Sequence, residues 1–80
     1  MPTRKRRTKA RPRLTPRQRQ CLVLVAKGKT DRQVGRTLRI SGETVHKHVE
    51  SIKKAYRARS RMQLVIRALV VREITLHEIA

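Results

Sequence analysis

Apolar positions along the chain recur at the three- and four-residue spacing of helices, and each recurring stretch opens on a capping pattern. Thr15, Pro16 and Gln18 combine an N-cap, a favoured first helical residue and a capping box, so a first helix is predicted over 16–27. It carries Cys21, Leu22, Leu24 and Val25, and Gly28 occupies the left-handed cap beyond it. Thr30 and Gln33 repeat the capping box and open a short second helix over 31–39, which turns Val34 and Leu38 inward. Ile40, Ser41 and Gly42 form a tight connection, with Ser41 as the cap of a third helix over 42–57. Ser60 and Gln63 cap a fourth over 61–73, while the tail 74–80 is ambiguous. The β-branched residues sit at helical spacings and no hairpin dipeptide occurs, so the expected fold class is all-α, four helices between residues 14 and 73.

The third helix has two distinct faces. At about 100° per residue, Val45, Val49, Ile52 and Tyr56 fall in one narrow stripe, which is the pattern of a buried face. Glu43, Lys47, Glu50, Lys54 and Arg57 project from the opposite side, with His46 at its edge. A short helix, a tight turn and a longer helix with a polar outer face make a helix-turn-helix, whose second helix suits a major groove about 12 Å wide. The first two turns of such a helix lie nearest the base edges, which makes Glu43, His46, Lys47 and Glu50 the expected base readers. Lys54 and Arg57 are expected on the phosphate backbone, as are Thr30, Arg32, Ser41, Thr44 and Arg61. The competing reading is a plain solvated face in which Glu50 and Lys54 form an i,i+4 pair. A glutamate facing DNA is repelled by phosphates unless it accepts from cytosine N4 or restrains a neighbouring lysine.

Charge favours the nucleic-acid reading. The chain has 22 Lys and Arg against 5 Asp and Glu, a formal charge of +17, and a polyanion relieves that repulsion by releasing condensed counterions. Residues 1–13 hold a run of basic residues with almost nothing to bury, the composition of a disordered arm. Arg4, Arg6 and Arg7 are expected to follow phosphates from it. An anionic membrane is disfavoured as partner, because the chain has one Tyr, no Trp and no Phe to anchor an interfacial helix. The only cysteine, Cys21, lies in an apolar run and is read as a core residue. His46, His48 and His77 form no metal-ligand set, no cofactor motif is visible, and nothing supports enzyme activity. A cytoplasmic, nucleoid-associated location is expected.

The run Leu14-Thr15-Pro16-Arg17, then Gly28, Ile40-Ser41, Thr44-Val45, His48-Val49 and Arg59-Ser60-Arg61, resembles the LuxR/GerE helix-turn-helix family over about residues 14 to 72. The resemblance implies a bacterial or phage transcription regulator whose third helix enters the major groove, of the kind that stands alone without a sensing domain. His46 stands where the family usually has a lysine, so target preference does not carry over. Gly35 stands where alanine is common, at up to about 1 kcal/mol in helix propensity, which predicts marginal stability. The fourth helix is apolar nearly all round, so one face meets something besides the core. Either the tail folds back over it, or Met62, Ile66, Leu69 and Val70 form a homodimer interface, as is common in the resembled family. A dimer would set two recognition helices about 34 Å apart on an inverted repeat of double-stranded DNA. The alternatives are a non-specific nucleoid-compacting or RNA-binding protein, or an adaptor that binds RNA polymerase.

Overall fold

The computed structural model describes residues 11–80 and places five helices among them: α1 (Pro16–Ala26), α2 (Asp31–Leu38), α3 (Gly42–Tyr56), α4 (Arg61–Val70) and α5 (Leu76–Ile79). No strand occurs among the described residues. Each N-terminus is capped by a hydroxyl, and Thr15 and Thr30 form full capping boxes with Gln18 and Gln33. Each of the first four helices closes with a pair of amides folding back on its last carbonyls. At α1, Gly28 donates to Val25 and Lys29 to Leu24, and Gly28 has the expected left-handed φ of 88°. At α2, α3 and α4 the left-handed position is held by Arg39, Arg57 and Arg72, with φ of 61°, 55° and 62°. A side chain at such a position costs roughly 1 kcal/mol relative to glycine, partly offset by placing a cation at the negative end of the helix.

α3 lies at the centre and packs against α1, α2 and α4. Its stripe of Val45, Val49, Ile52 and Tyr56 is buried against Leu22, Val25, Val34, Leu64 and Ala68, as the periodicity predicts. Full burial of each such aliphatic side chain contributes about 1.5–3 kcal/mol. Cys21 is fully buried, and burial pushes its thiol pKa up, so it behaves as a small core residue.

The C-terminal end corrects two expectations. α4 stops at Val70 rather than continuing to residue 73, because the chain turns over at Arg72 to drop Ile74 into the core, where it is 1% exposed. The tail then forms the short α5, opened by a capping box of Thr75 and Glu78. Arg19 of α1 holds this tail: Nη2 donates to the Glu73 carbonyl at 2.9 Å and to Glu78 Oε2 at 2.8 Å, while Nε lies 3.2 Å from Glu73 Oε2. The Arg19 hydrogen bond in turn lowers the pKa of Glu78. Arg11, within the stretch read as a free arm, donates to the Arg72 carbonyl at 3.0 Å. The tail therefore folds back, yet Met62, Ile66 and Val70 stay exposed at 74%, 53% and 75%. Leu69 is different: it is half-buried and packs on the core, because it shares the side of α4 that the turn covers.

Gly35 reverses a further expectation. A Cβ at this position would sit 2.5 Å from the Ile40 carbonyl oxygen and 3.3 Å from Ser41 C and Gly42 N, all backbone atoms. Its own carbonyl accepts from Arg39 and, at 2.9 Å, from Ile40. Glycine is here a packing requirement of the turn, and its helix-propensity cost is outweighed by the contact that it permits. Gly35→Ala should therefore lower unfolding free energy by about 1–3 kcal/mol, the range for overpacking a closed site. Urea denaturation checks this; a gain of about 1 kcal/mol would mean that propensity dominates.

Tyr56 supplies a pH dependence. Its hydroxyl is buried with no hydrogen-bond partner among the described residues, and burial, aided by Glu73 and opposed by Arg11, pushes its pKa up to about 12 from 10.0. The unfolded phenol releases its proton near pH 10 while the folded one keeps it, so stability is intact below pH 10 and falls as pH rises toward 12. The loss should reach about 2–3 kcal/mol. In alkaline titration, tyrosinate absorbance should appear together with loss of helix, and Tyr56→Phe should flatten that part of the stability profile.

Candidate nucleic-acid interface

Two helix starts lie side by side. Gly42, the first residue of α3, lies against the first turn of α2, where a Cβ would make ordinary contact at 3.9 Å from Arg32 Cα and Asp31 C. Ser41 Oγ accepts from the Thr44 amide at 3.0 Å and donates to Thr44 Oγ1 at 2.9 Å. With the Ser41 proton so used, the Thr44 hydroxyl proton is left to donate outward. Thr30 Oγ1 accepts from the Gln33 amide at 3.1 Å and likewise keeps its proton. Free amides at both starts, two hydroxyl donors and the exposed Arg32 lie close together at the positive ends of two helix dipoles, with the Asp31 carboxylate beside them in the first turn of α2.

Beyond this end runs the outer face of α3. His46, Lys47, Glu50, Lys54 and Arg57 line one continuous open surface, to which Lys53 and Arg59 add further charge. Glu43 is exposed in the first turn, where a carboxylate meets the positive helix end. Glu50 pairs with Lys53 at 3.3 Å, an i,i+3 contact, in place of the i,i+4 pair with Lys54. Lys54 consequently has no acidic partner among the described residues.

The remaining expected contacts divide. Arg61, placed on phosphate by the sequence reading, is ion-paired with Asp31. Arg57 holds the left-handed position that ends α3 and lines the far end of the same open surface. Arg4, Arg6 and Arg7 lie outside the described residues. Asp31 was not among the expected site residues, although it also comes within 3.8 Å of His46 Nδ1. Its one signal in the sequence is to be the only carboxylate between Arg11 and Gly42. Nothing in spacing places it against residues 46 and 61, since both contacts are tertiary.

Among the described residues no three His, Cys, Asp or Glu side chains gather as metal ligands, and no helix is long and apolar enough to cross a membrane. The site offers hydrogen-bond donors and cations along one helix, a surface for binding an extended anion.

Comparison with known proteins agrees with this geometry. The family model for bacterial regulatory proteins of the luxR family matches residues 12–68. The chain is 36% identical over 58 residues to the transcriptional activator protein SolR of Ralstonia nicotianae, a match covering 72% of this chain and 25% of that protein. It is 38% identical over 50 residues to YhjB of Escherichia coli strain K12, whose name describes an HTH-type transcriptional regulator; 62% of this chain and 25% of that one are covered. The chain thus spans about a quarter of the length of the curated relatives it matches. No solved structure matches it. The family match takes in α1, α2, α3 and most of α4, including both helix starts and the whole outer face of α3, and the chain belongs to the luxR family of bacterial regulatory proteins.

Proposed function

We propose that this chain is a transcription regulator that binds double-stranded DNA sequence-specifically, with α3 in the major groove and two copies joined through α4. The observation that carries the reading is the outer face of α3: polar along its length, with cations outnumbering Glu50 from His46 onward, open to solvent, and backed by a buried stripe of Val45, Val49, Ile52 and Tyr56. A helix so presented fits the groove, and the adjoining starts of α2 and α3 meet the phosphates flanking it. Glu43, His46, Lys47 and Glu50 read base edges in this arrangement. Thr30, Arg32, Ser41, Thr44, Lys54 and Arg57 hold the backbone, and Arg4, Arg6 and Arg7 add contacts from the basic N-terminal run. Glu50, restrained by Lys53, contributes selectivity rather than affinity.

Met62, Ile66 and Val70 recur every four residues along one side of α4 and are more than half exposed. Their burial against a second copy supplies the dimer, with a two-fold axis that calls for an inverted repeat. Non-specific compaction of DNA is the second reading, favoured by the charge of +17 alone.

Titration of a duplex at several salt concentrations tests the backbone contacts. Lys54→Ala and Arg57→Ala should each weaken binding to every duplex and reduce the log–log salt slope by about 0.9, one released counterion apiece. An unchanged slope would remove these residues from the interface. Ile66→Glu tests the dimer by sedimentation: it should halve the mass of the free protein while the helical signal persists, because the charge is tolerated on an open face and excluded from a buried one. A wild-type mass equal to one chain would end the α4 dimer.

A further inference from the structure

Asp31 is a carboxylate, like Glu43 and Glu50, on the side of the molecule where cations and donors predominate. Its two oxygens serve different helices. Oδ1 takes a hydrogen-bonded ion pair from the Arg61 guanidinium, at the first residue of α4. Oδ2 stands 3.8 Å from Nδ1 of His46, one turn into α3, an ion-pair separation when the ring is protonated and longer than a hydrogen bond. Asp31 itself lies in the first turn of α2, and its side chain is only 28% exposed. One group thus ties together the starts of α2 and α4 and the outer face of α3.

A negative charge at this place opposes binding to phosphates. It also neutralises Arg61, a cation at a helix start that would otherwise be available to the DNA backbone. With a net charge of +17 the chain has affinity for any polyanion in excess, so weakening of the sequence-independent part raises the share of binding that depends on bases. The contact with His46 acts in the same sense. Nδ1 is the ring nitrogen that faces Asp31 Oδ2, and a ring held on that side has fewer orientations to offer a base edge.

We propose that Asp31 is the positioning residue of the recognition surface, orienting His46 toward one base pair per half-site and withholding Arg61 from the phosphates, so that it sets selectivity at the expense of affinity. This rests on the reading of α3 as the base-reading helix.

The test uses the duplex that the wild-type full chain selects from random DNA, a scrambled duplex, and a panel in which each base pair of the selected site is changed in turn. Asp31→Asn should bind the scrambled duplex about threefold to tenfold more tightly, with a salt slope steeper by about one as Arg61 is released. Adding Arg61→Ala should restore the slope. Discrimination should fall about tenfold at one base pair per half-site and hold at the others. His46→Ala should lose discrimination at that same base pair, and the combination with Asp31→Asn should lose no more there than either alone. In the free protein, three-bond couplings should show the His46 side chain in one rotamer in the wild type and averaged in Asp31→Asn. If Asp31→Asn does not fold, the exchanged pair Asp31→Arg with Arg61→Asp, which keeps a tie between α2 and α4 with its charges reversed, should show the same lost base pair. Tighter binding to all duplexes with every base preference intact would overturn the proposal, leaving Asp31 a simple negative charge. A wild type that discriminates at no base pair would instead refute the base-reading role of α3, and this proposal with it.

Discussion

The angle between α2 and α3 is set by a contact with no room to spare, the approach of Gly35 to the backbone of the turn that precedes the recognition helix. A methyl group there would fall 2.5 Å from the Ile40 oxygen, and the same glycine's carbonyl accepts the amides that end α2. With that crossing in place, Gly42 lies against the first turn of α2, so two helix starts with their amides and hydroxyls fall side by side. The buried stripe of α3 then meets α1 and α4 as one core, and its opposite face is left wholly outward. Fold and site are in this sense one construction: the interactions that bury Val45, Val49 and Ile52 are those that expose Lys47, Glu50 and Lys54.

Charge is the second organising constraint. With so few carboxylates, their placement is informative. Glu73 and Glu78 hold the tail to α1 through Arg19, and Glu43 occupies the positive end of α3. Asp31 and Glu50 sit among the cations of the candidate interface and each restrains one of them. The acidic residues therefore hold elements together and limit particular basic side chains, while Lys47 and Lys54 on the outer face of α3 have no acidic partner among the described residues. Such a surface separates general attraction, which many residues supply, from selectivity, which rests on few.

Much of this was legible in the sequence because it is local. Capping boxes at Thr15 and Thr30, caps at Ser41 and Ser60 and the left-handed Gly28 depend on residues three or four apart, and the two faces of α3 follow from helical period alone. What escaped is tertiary. Gly35 reads as a weak helix residue until the Ile40 carbonyl is seen beside it. Ile74 gave no periodic signal, yet its burial ends α4 early and brings Leu69 under cover. Arg61 reads as a free cation on a helix start, and only the fold brings Asp31 to it from thirty residues away. Arg39, Arg57 and Arg72 carry no local warning of a left-handed backbone, since glycine or asparagine is the usual occupant.

The most direct measurement is selection of bound sites from random duplex DNA by the full chain, followed by titration of the recovered site against a scrambled control at matched salt. A sequence-specific regulator with α3 in the groove should return a two-fold symmetric consensus, bound about a thousandfold or more tightly than the control. Equal and steeply salt-dependent binding to every duplex, with no consensus recovered, would contradict it and leave a basic protein that packages DNA without reading it.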